Sequence, residues 1–282
     1  MPIMRYAAMP PVKTEELTTG ADTTHLATAG DDRGEPLLLL HGTGPGATGA
    51  LSFQPLLPSL TTYRCIVPDL VGFGRSSHPE TLPAGPGPWF ARRVEAVLQL
   101  LDELGLDRVH VVGHSYGARV ALELIICAPE RVRRAVLVSA GGTPVKANTQ
   151  KLTAFYENPS AAAMRAMVSA QLSRLDVSGL DDYLGERFAV AAQPEVRRSF
   201  EAAMAPGEPA PVYDGPVLAA VRHAILAVHG KDDATISPAA SLFLAEHLPR
   251  SDLHLFAHCG HLMQFEVPPQ LGTLIHEFVA AG

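Results

Sequence analysis

In VHVVGHSYGARVALELI, residues 109–125, a mostly apolar run meets a helical pattern with only a glycine-flanked turn between them. A buried strand that passes directly into a helix needs a tight connection, and glycines at 113 and 117 permit one. Ser115, at the apex, is pushed outward from the sheet. The pentapeptide GHSYG matches G-x-S-x-G, and the strand–turn–helix setting is what gives that pattern its meaning as the seat of a nucleophile. The plain alternative is a βα turn in which the serine only caps the helix.

Outward from this turn, the segments EPLLLLHG, YRCIVPDL, RVHVVGHS, RAVLVSA, HAILAVHG and DLHLFAH each predict a short buried strand. Continuous apolarity implies burial on both faces, as in a parallel sheet covered by helices. Helical patterns lie between them. Phe90, Val94, Val97, Leu98, Leu101 and Leu104 recur at threes and fours before Gly105. A helix over 118–128 ends before Pro129, and Pro268 and Pro269 open a last one. This alternation predicts an α/β fold with a mostly parallel sheet. From 142 to 214 no strand pattern appears, only helical segments such as SAAAMRAMVSAQLSRL and DDYLGERFAVAA. We read 142–214 as a helical cap inserted into a core made of 1–141 and 215–282. Its apolar residues argue against a disordered linker.

Composition narrows the function classes. The chain has 282 residues, 47% hydrophobic and 18% charged, with a net charge of −7 and no long basic run. Phosphate binding needs clustered Lys and Arg, so neither nucleic acid nor an anionic membrane is an expected partner. Cys65, Cys127 and Cys259 form no C-x-x-C pair, which argues against a disulfide framework or a zinc site. The N-terminal stretch MPIMRYAAMPPVKTEELTTG lacks the charged and apolar regions of a signal peptide, and no apolar run approaches a membrane span. A cytoplasmic location is expected. The sequence leaves the oligomeric state open, a homodimer included.

A serine hydroxyl needs an adjacent base to attack at neutral pH. Parallel strands gather active groups beyond their C-terminal ends, so the base belongs in a loop after a strand. His261, in LFAHCGHLMQFEVP, stands there beside Gly260, and His258 is its rival. The orienting carboxylate is expected after AILAVHG, where Asp233 is the choice and Asp232 the alternative. Each could instead cap the helix ahead. Backbone amides that stabilise an oxyanion are expected at Tyr116, directly after the nucleophile, and at Thr43 in the glycine-rich HGTGPGATG. That loop lacks both phosphate-cradle patterns. The run His254, His258, Cys259, His261 fits no standard zinc spacing, and no metal or other cofactor is expected.

The order Ser115, Asp233, His261, with LLLLHGTGPG, VPDLVGFGRSS, VVGHSYGARVALE, AVHGKDDATISP and AHCGHLMQFEVP, resembles the α/β-hydrolase superfamily over nearly the whole chain. Within it, HGTGPGATG and CGHLMQFE look most like the meta-cleavage product hydrolases. Those enzymes cut a carbon–carbon bond in vinylogous diketo acids from aromatic ring fission, using a Ser-His-Asp triad, the same oxyanion loop and a helical cap. The resemblance implies a Gly44-Pro45-Gly46 segment in that loop and substrate contacts from Gly42, Gly44, Ser52, His114, Arg187 and Leu262. Arg187 falls where the family keeps a cap arginine for the substrate's carboxylate or enolate; its alternative is a solvated arginine on an amphipathic helix. Three positions depart from the family. His114 stands for an asparagine, Leu262 for a tryptophan, and Ser52 for an asparagine of the oxyanion loop region.

The expected activity is therefore that of a serine-type hydrolase acting on the carbonyl of a small, apolar substrate. C–C cleavage of a diketo or dienoate-type compound is favoured over ester or lactone hydrolysis. A non-hydrolytic ligand-binding protein or cyclase on the same fold is the reading from another class.

Overall fold

The computed structural model describes residues 10–82 and 84–281, so the first nine residues of the N-terminal stretch read above for a leader lie outside it. Eight strands form one sheet among the described residues: β1 (Lys13–Thr19), β2 (Asp22–Gly30), β3 (Pro36–Leu40), β4 (Arg64–Pro68), β5 (Val109–His114), β6 (Val132–Val138), β7 (Ala224–Gly230) and β8 (Ser251–Phe256). Their spatial order is β1-β2-β4-β3-β5-β6-β7-β8. The ladders from β4 to β8 are parallel, and β1 and β2 add an antiparallel edge.

The strands bury both faces, as their apolar runs require. Leu38 and Leu40 of β3 point into one core layer with Ile66, Val109 and Val111, while Leu37 and Leu39 point into the other with Cys65, Val67 and Val112. Helices α1 (Gly49–Phe53), α2 (Pro86–Glu103) and α3 (Tyr116–Cys127) follow β3, β4 and β5. On the first layer α2 contributes Phe90, Val94 and Val97, and α3 contributes Val120 and Leu124. Fully burying such a side chain contributes about 1.5–3 kcal/mol. After α2, Gly105 takes φ +63°, a left-handed conformation that suits glycine at a helix end.

The connection between β6 and β7 is helical: α4 (Gln150–Thr153), α5 (Ala161–Ser169), α6 (Asp181–Ala191), α7 (Pro194–Met204) and α8 (Gly215–Ala219). A third apolar cluster lies here, in which Phe155, Met164, Leu184 and Phe200 meet Leu262 and Phe265 from the far end of the chain. Three helices complete the fold: α9 (Ala239–His247), α10 (Met263–Glu266) and α11 (Pro268–Ala280). The last opens on the expected prolines and packs Leu271, Ile275 and Val279 on the second layer.

The sheet order positions the site. From β3 the chain steps to β4 on one side and then crosses to β5 on the other, so the loops after β3 and β5 diverge beyond the carboxyl ends of the strands. Crevices form at such switch points.

Three features differ from the sequence reading. Strands β1 and β2 were not expected; KTEELTT and DTTHLATAG are too polar for a doubly buried strand, and they pair antiparallel at the edge. Strand β8, read as buried, is the opposite edge and is only half-buried. Helix α3 begins at Tyr116, directly after the serine, two residues before the expected start.

Candidate active site

Strand β5 is buried throughout and delivers Ser115 to the turn at φ +55°, ψ −111°. Such a conformation is unfavourable for a residue with a side chain and persists only where its surroundings hold it. The holding bonds are visible. The Ser115 amide donates to Val138 O (2.8 Å), and Ser115 O accepts from the amides of Ala118 (3.2 Å) and Gly141 (3.2 Å). Both flanking glycines are required by contact. A Cβ on Gly113 would meet the backbone of Gly117 and Ala118, and one on Gly117 would run into the Leu40 carbonyl.

The loop after β8 brings His261 to the serine, with Nε2 3.0 Å from Ser115 Oγ. On its other side, His261 Nδ1 lies 2.7 Å from Asp233 Oδ2. A carboxylate there accepts, so Nδ1 carries the proton and Nε2 is free to accept from the serine hydroxyl. Asp233 also accepts from the amides of Thr235 (2.8 Å) and Ile236 (2.9 Å) through Oδ1, and from His229 Nε2 (3.1 Å) through Oδ2. Burial opposes its ionisation, yet the bonds from His229, His261 and Ile236 outweigh that, holding the carboxyl well below the usual range. Of the two aspartates, Asp233 faces His261. Asp232 is turned to the surface, where it accepts from Ser173 Oγ (2.6 Å) with His258 Nδ1 3.9 Å away. His258, the rival base, is therefore exposed beside Asp232.

The loop after β3 forms the facing wall. His41 is fully buried; its Nδ1 donates to Gly42 O (2.8 Å) and its Nε2 accepts from the Leu70 amide (3.0 Å). Burial pushes this imidazole down to about 4, against the opposing pull of Asp69. The neutral ring thus fixes the start of the loop carrying Thr43. Neither the Thr43 nor the Tyr116 amide donates a backbone–backbone bond among the described residues. Tyr116 is braced from behind by Arg93, whose Nη1 donates to its hydroxyl (3.0 Å).

Arg187, on α6, reaches into this loop. It is 4% exposed, which excludes the solvated alternative. Its Nε donates to Pro45 O (3.0 Å) and its Nη1 to Tyr183 Oη (2.6 Å), and it has no carboxylate partner among the described residues. The Gly44-Pro45-Gly46 backbone is shaped around it. Gly44 (φ +143°) faces the Arg187 guanidinium, and a Cβ on Gly46 (φ +67°) would strike the Arg187 carbonyl. One pocket is lined by Gly42, Thr43, Ser52, His114, Arg187 and Leu262 together with His261. His114 Nε2 donates to His261 O (2.9 Å), and its ring packs 4.9 Å from the His261 ring. Among the described residues no group of three or more His, Cys, Asp or Glu side chains is arranged to hold a metal ion.

With this geometry in view, the similarity to known proteins is decisive. A profile of the alpha/beta hydrolase fold matches residues 35–268. The chain belongs to the α/β hydrolases. Within them it is similar to 2-hydroxymuconate semialdehyde hydrolase of Pseudomonas sp. (strain CF600), 34% identical over 88% of this chain and 87% of that one. The 2-hydroxy-6-oxo-2,4-heptadienoate hydrolase of Pseudomonas putida (strain F1) is 33% identical over 88% and 90%. A solved structure, the 2-hydroxy-6-oxo-6-phenylhexa-2,4-dienoate hydrolase from Rhodococcus sp. strain RHA1, superposes with a TM-score of 0.87 at 31% identity, covering 96% of this chain and 99% of that one. This α/β hydrolase is of the meta-cleavage product, C–C bond type.

Several groups around the hydrolase's site were not singled out in the sequence reading. His229 bonds Asp233 from the carboxyl end of apolar strand β7, where a single histidine gives no pattern. Glu266 is a buried clamp. Its Oε1 accepts from the amides of Ser173 (2.8 Å), Arg174 (2.8 Å) and Leu175 (3.3 Å), and its Oε2 from Gly260 (2.6 Å). Gln171 O accepts from the His261 and Leu262 amides (2.7 and 3.3 Å). The segment 171–175 is thus tied to the loop that carries His261. Gln171, Tyr183 and Gln264 complete the pocket lining. The adjacency of Gln264 and Glu266 to His261 was the available clue.

Proposed function

We propose that this hydrolase cleaves the C5–C6 bond of a 2-hydroxy-6-oxo-2,4-dienoate, consuming one water and releasing a 2-hydroxy-2,4-dienoate and a carboxylic acid. The observation that carries the reading is Arg187, a buried cation without a carboxylate partner in the same pocket as His261. A buried unpaired charge is costly, and a substrate carboxylate would offset it. The names of the similar proteins support a substrate of this type.

Ketonisation comes first: the 2-hydroxyl loses its proton, C5 gains one, and the substrate becomes the 2,6-dioxo form. Ser115 Oγ then attacks C6 while His261 Nε2 takes its proton, and Asp233 stabilises the imidazolium. The amides of Thr43 and Tyr116 hold the oxyanion on C6. When C5–C6 breaks, its electron pair delocalises through C3=C4 onto the C2 oxygen, and His261 returns a proton to the leaving dienolate. Water, deprotonated by His261, then releases the acyl group from Ser115. Residues 142–214 act as a cap over this site, which the joining of Leu262 and Phe265 to their apolar cluster supports. A cytoplasmic location is supported by three unbonded cysteines. Among the described residues no helix is long and apolar enough to cross a membrane.

The test compares the protein with Ser115→Ala on a 2-hydroxy-6-oxo-dienoate and on a short p-nitrophenyl ester. Fast dienoate turnover that the variant loses, with slow ester turnover, is expected. Fast ester turnover with an untouched dienoate would overturn the substrate and make His114, Leu262 and Ser52 the marks of an esterase.

A further inference from the structure

Gln264 lies on α10, three residues beyond His261, and lines the pocket with Ser52, His114 and Arg187. Its side chain is 1% exposed, and its Oε1 has no hydrogen-bond partner among the described residues. Of the buried, unpaired side-chain atoms among those residues, it is the one in this pocket. Two polar side chains of the same region are served by the protein itself. Glu266 accepts four backbone amides, and Gln171 Nε2 donates to Met167 O (3.2 Å). Leaving a buried oxygen unpaired opposes folding, so an unpaired group at the rim of a reaction site calls for a ligand.

What Oε1 lacks is a donor. On the dienoate proposed above, the carboxylate and the 6-oxo group only accept, and the 2-hydroxyl is the donor. We propose that Gln264 recognises the 2-hydroxyl of the substrate: Oε1 accepts its O–H, and Nε2 donates to the neighbouring C1 carboxylate, whose other oxygen faces Arg187. An amide carries its acceptor and donor on one carbon, so it meets a hydroxyl and a carboxylate on adjacent carbons side by side. The inference rests on the dienoate reading and deepens it. The pocket selects 2-hydroxy acids, in their enol form, over simple esters and over acids lacking the hydroxyl. A site built to bond a hydroxyl discriminates strongly against the analogue without it.

The test uses Gln264→Met, which keeps length and volume and removes both polar atoms. Three readouts are taken: kcat/KM on the 2-hydroxy-6-oxo-dienoate, the thermal midpoint, and calorimetric affinities in the Ser115→Ala background. The two ligands are 2-hydroxypenta-2,4-dienoate and penta-2,4-dienoate. Without the substitution the hydroxylated acid binds more tightly, by roughly tenfold or more; with it, the ratio falls to about one. The variant loses roughly 10- to 100-fold in kcat/KM, and its thermal midpoint holds or rises because an unpaired oxygen has left the interior. An unchanged affinity ratio overturns the inference, and so does a lowered midpoint with both acids weakened alike, the signature of a structural role. Absence of dienoate turnover by the unmutated protein, with the ratio still collapsing in the variant, overturns the reaction and leaves the hydroxyl recognition standing.

Discussion

Replacing His114 by Asn changes how the stability of the protein depends on pH, and the change can be worked out beforehand. His114 ends β5 with its ring enclosed. Burial, and then the charge of the neighbouring His261, push its pKa down to about 3, against opposing contributions from the His261 carbonyl and Asp233. In the unfolded chain the same imidazole titrates near 6.5. The unfolded state therefore binds the proton first, so stability is full above about pH 6.5 and falls as pH drops towards 3. Between pH 7 and pH 5 His114 alone takes away about 2 kcal/mol, at ~1.4 kcal/mol per pH unit once below 6.5. His41, lowered to about 4, takes away about 2 kcal/mol over the same interval. Denaturant midpoints at pH 7, 6 and 5 measure this. The loss between pH 7 and 5 should be smaller by about 2 kcal/mol in His114→Asn than in the unmutated protein. His78 and His110, also lowered by burial, act alike in both proteins and cancel in the difference. Asp233, held low, has the opposite sign of shift; its contribution is present above about pH 4 and is lost only below it. Equal losses in the two proteins would refute the account, because His114 would then not be carried neutral into the fold.

Three further outcomes follow from the geometry. Gly117→Ala should fail to fold or lose several kcal/mol in denaturant titration, because its Cβ would collide with the Leu40 carbonyl inside the sheet. Asp233→Asn should reduce kcat by about 10⁴-fold with little change in KM, whereas Asp232→Asn should stay within a few-fold of the unmutated rate. Glu266→Gln replaces an acceptor pair that serves four backbone amides; it should cost about 2–3 kcal/mol and speed proteolysis at residues 171–175, read by mass spectrometry of the nicked chain.

The parts of this hydrolase that were legible in its sequence are those where local chemistry dictates one answer. Strands buried on both faces must be mostly apolar, so β3 to β7 were readable as runs despite single polar residues such as His110. The nucleophile turn admits only glycine at 113 and 117, and Ser115 stands between them. His261 and the aspartate pair follow from the rule that parallel strands present their groups at one end. What stayed out of reach depends on contacts between segments far apart in the chain. β1 and β2 are held by pairing at an edge that polar residues tolerate, and their composition gives no run. The sequence preferred Asp233 and kept Asp232 as the alternative; which of them faces His261 turns on the side of one loop, where neighbouring residues point opposite ways. Arg187 was named through the family resemblance, while its helical pattern alone reads as one charge on an amphipathic helix; only the approach of α6 to the Gly44–Gly46 loop buries it. His229, Glu266 and Gln264 are single polar residues in apolar surroundings. Whether each is satisfied by the protein or left open for a ligand is decided by packing in three dimensions, and the sequence carries no local trace of it.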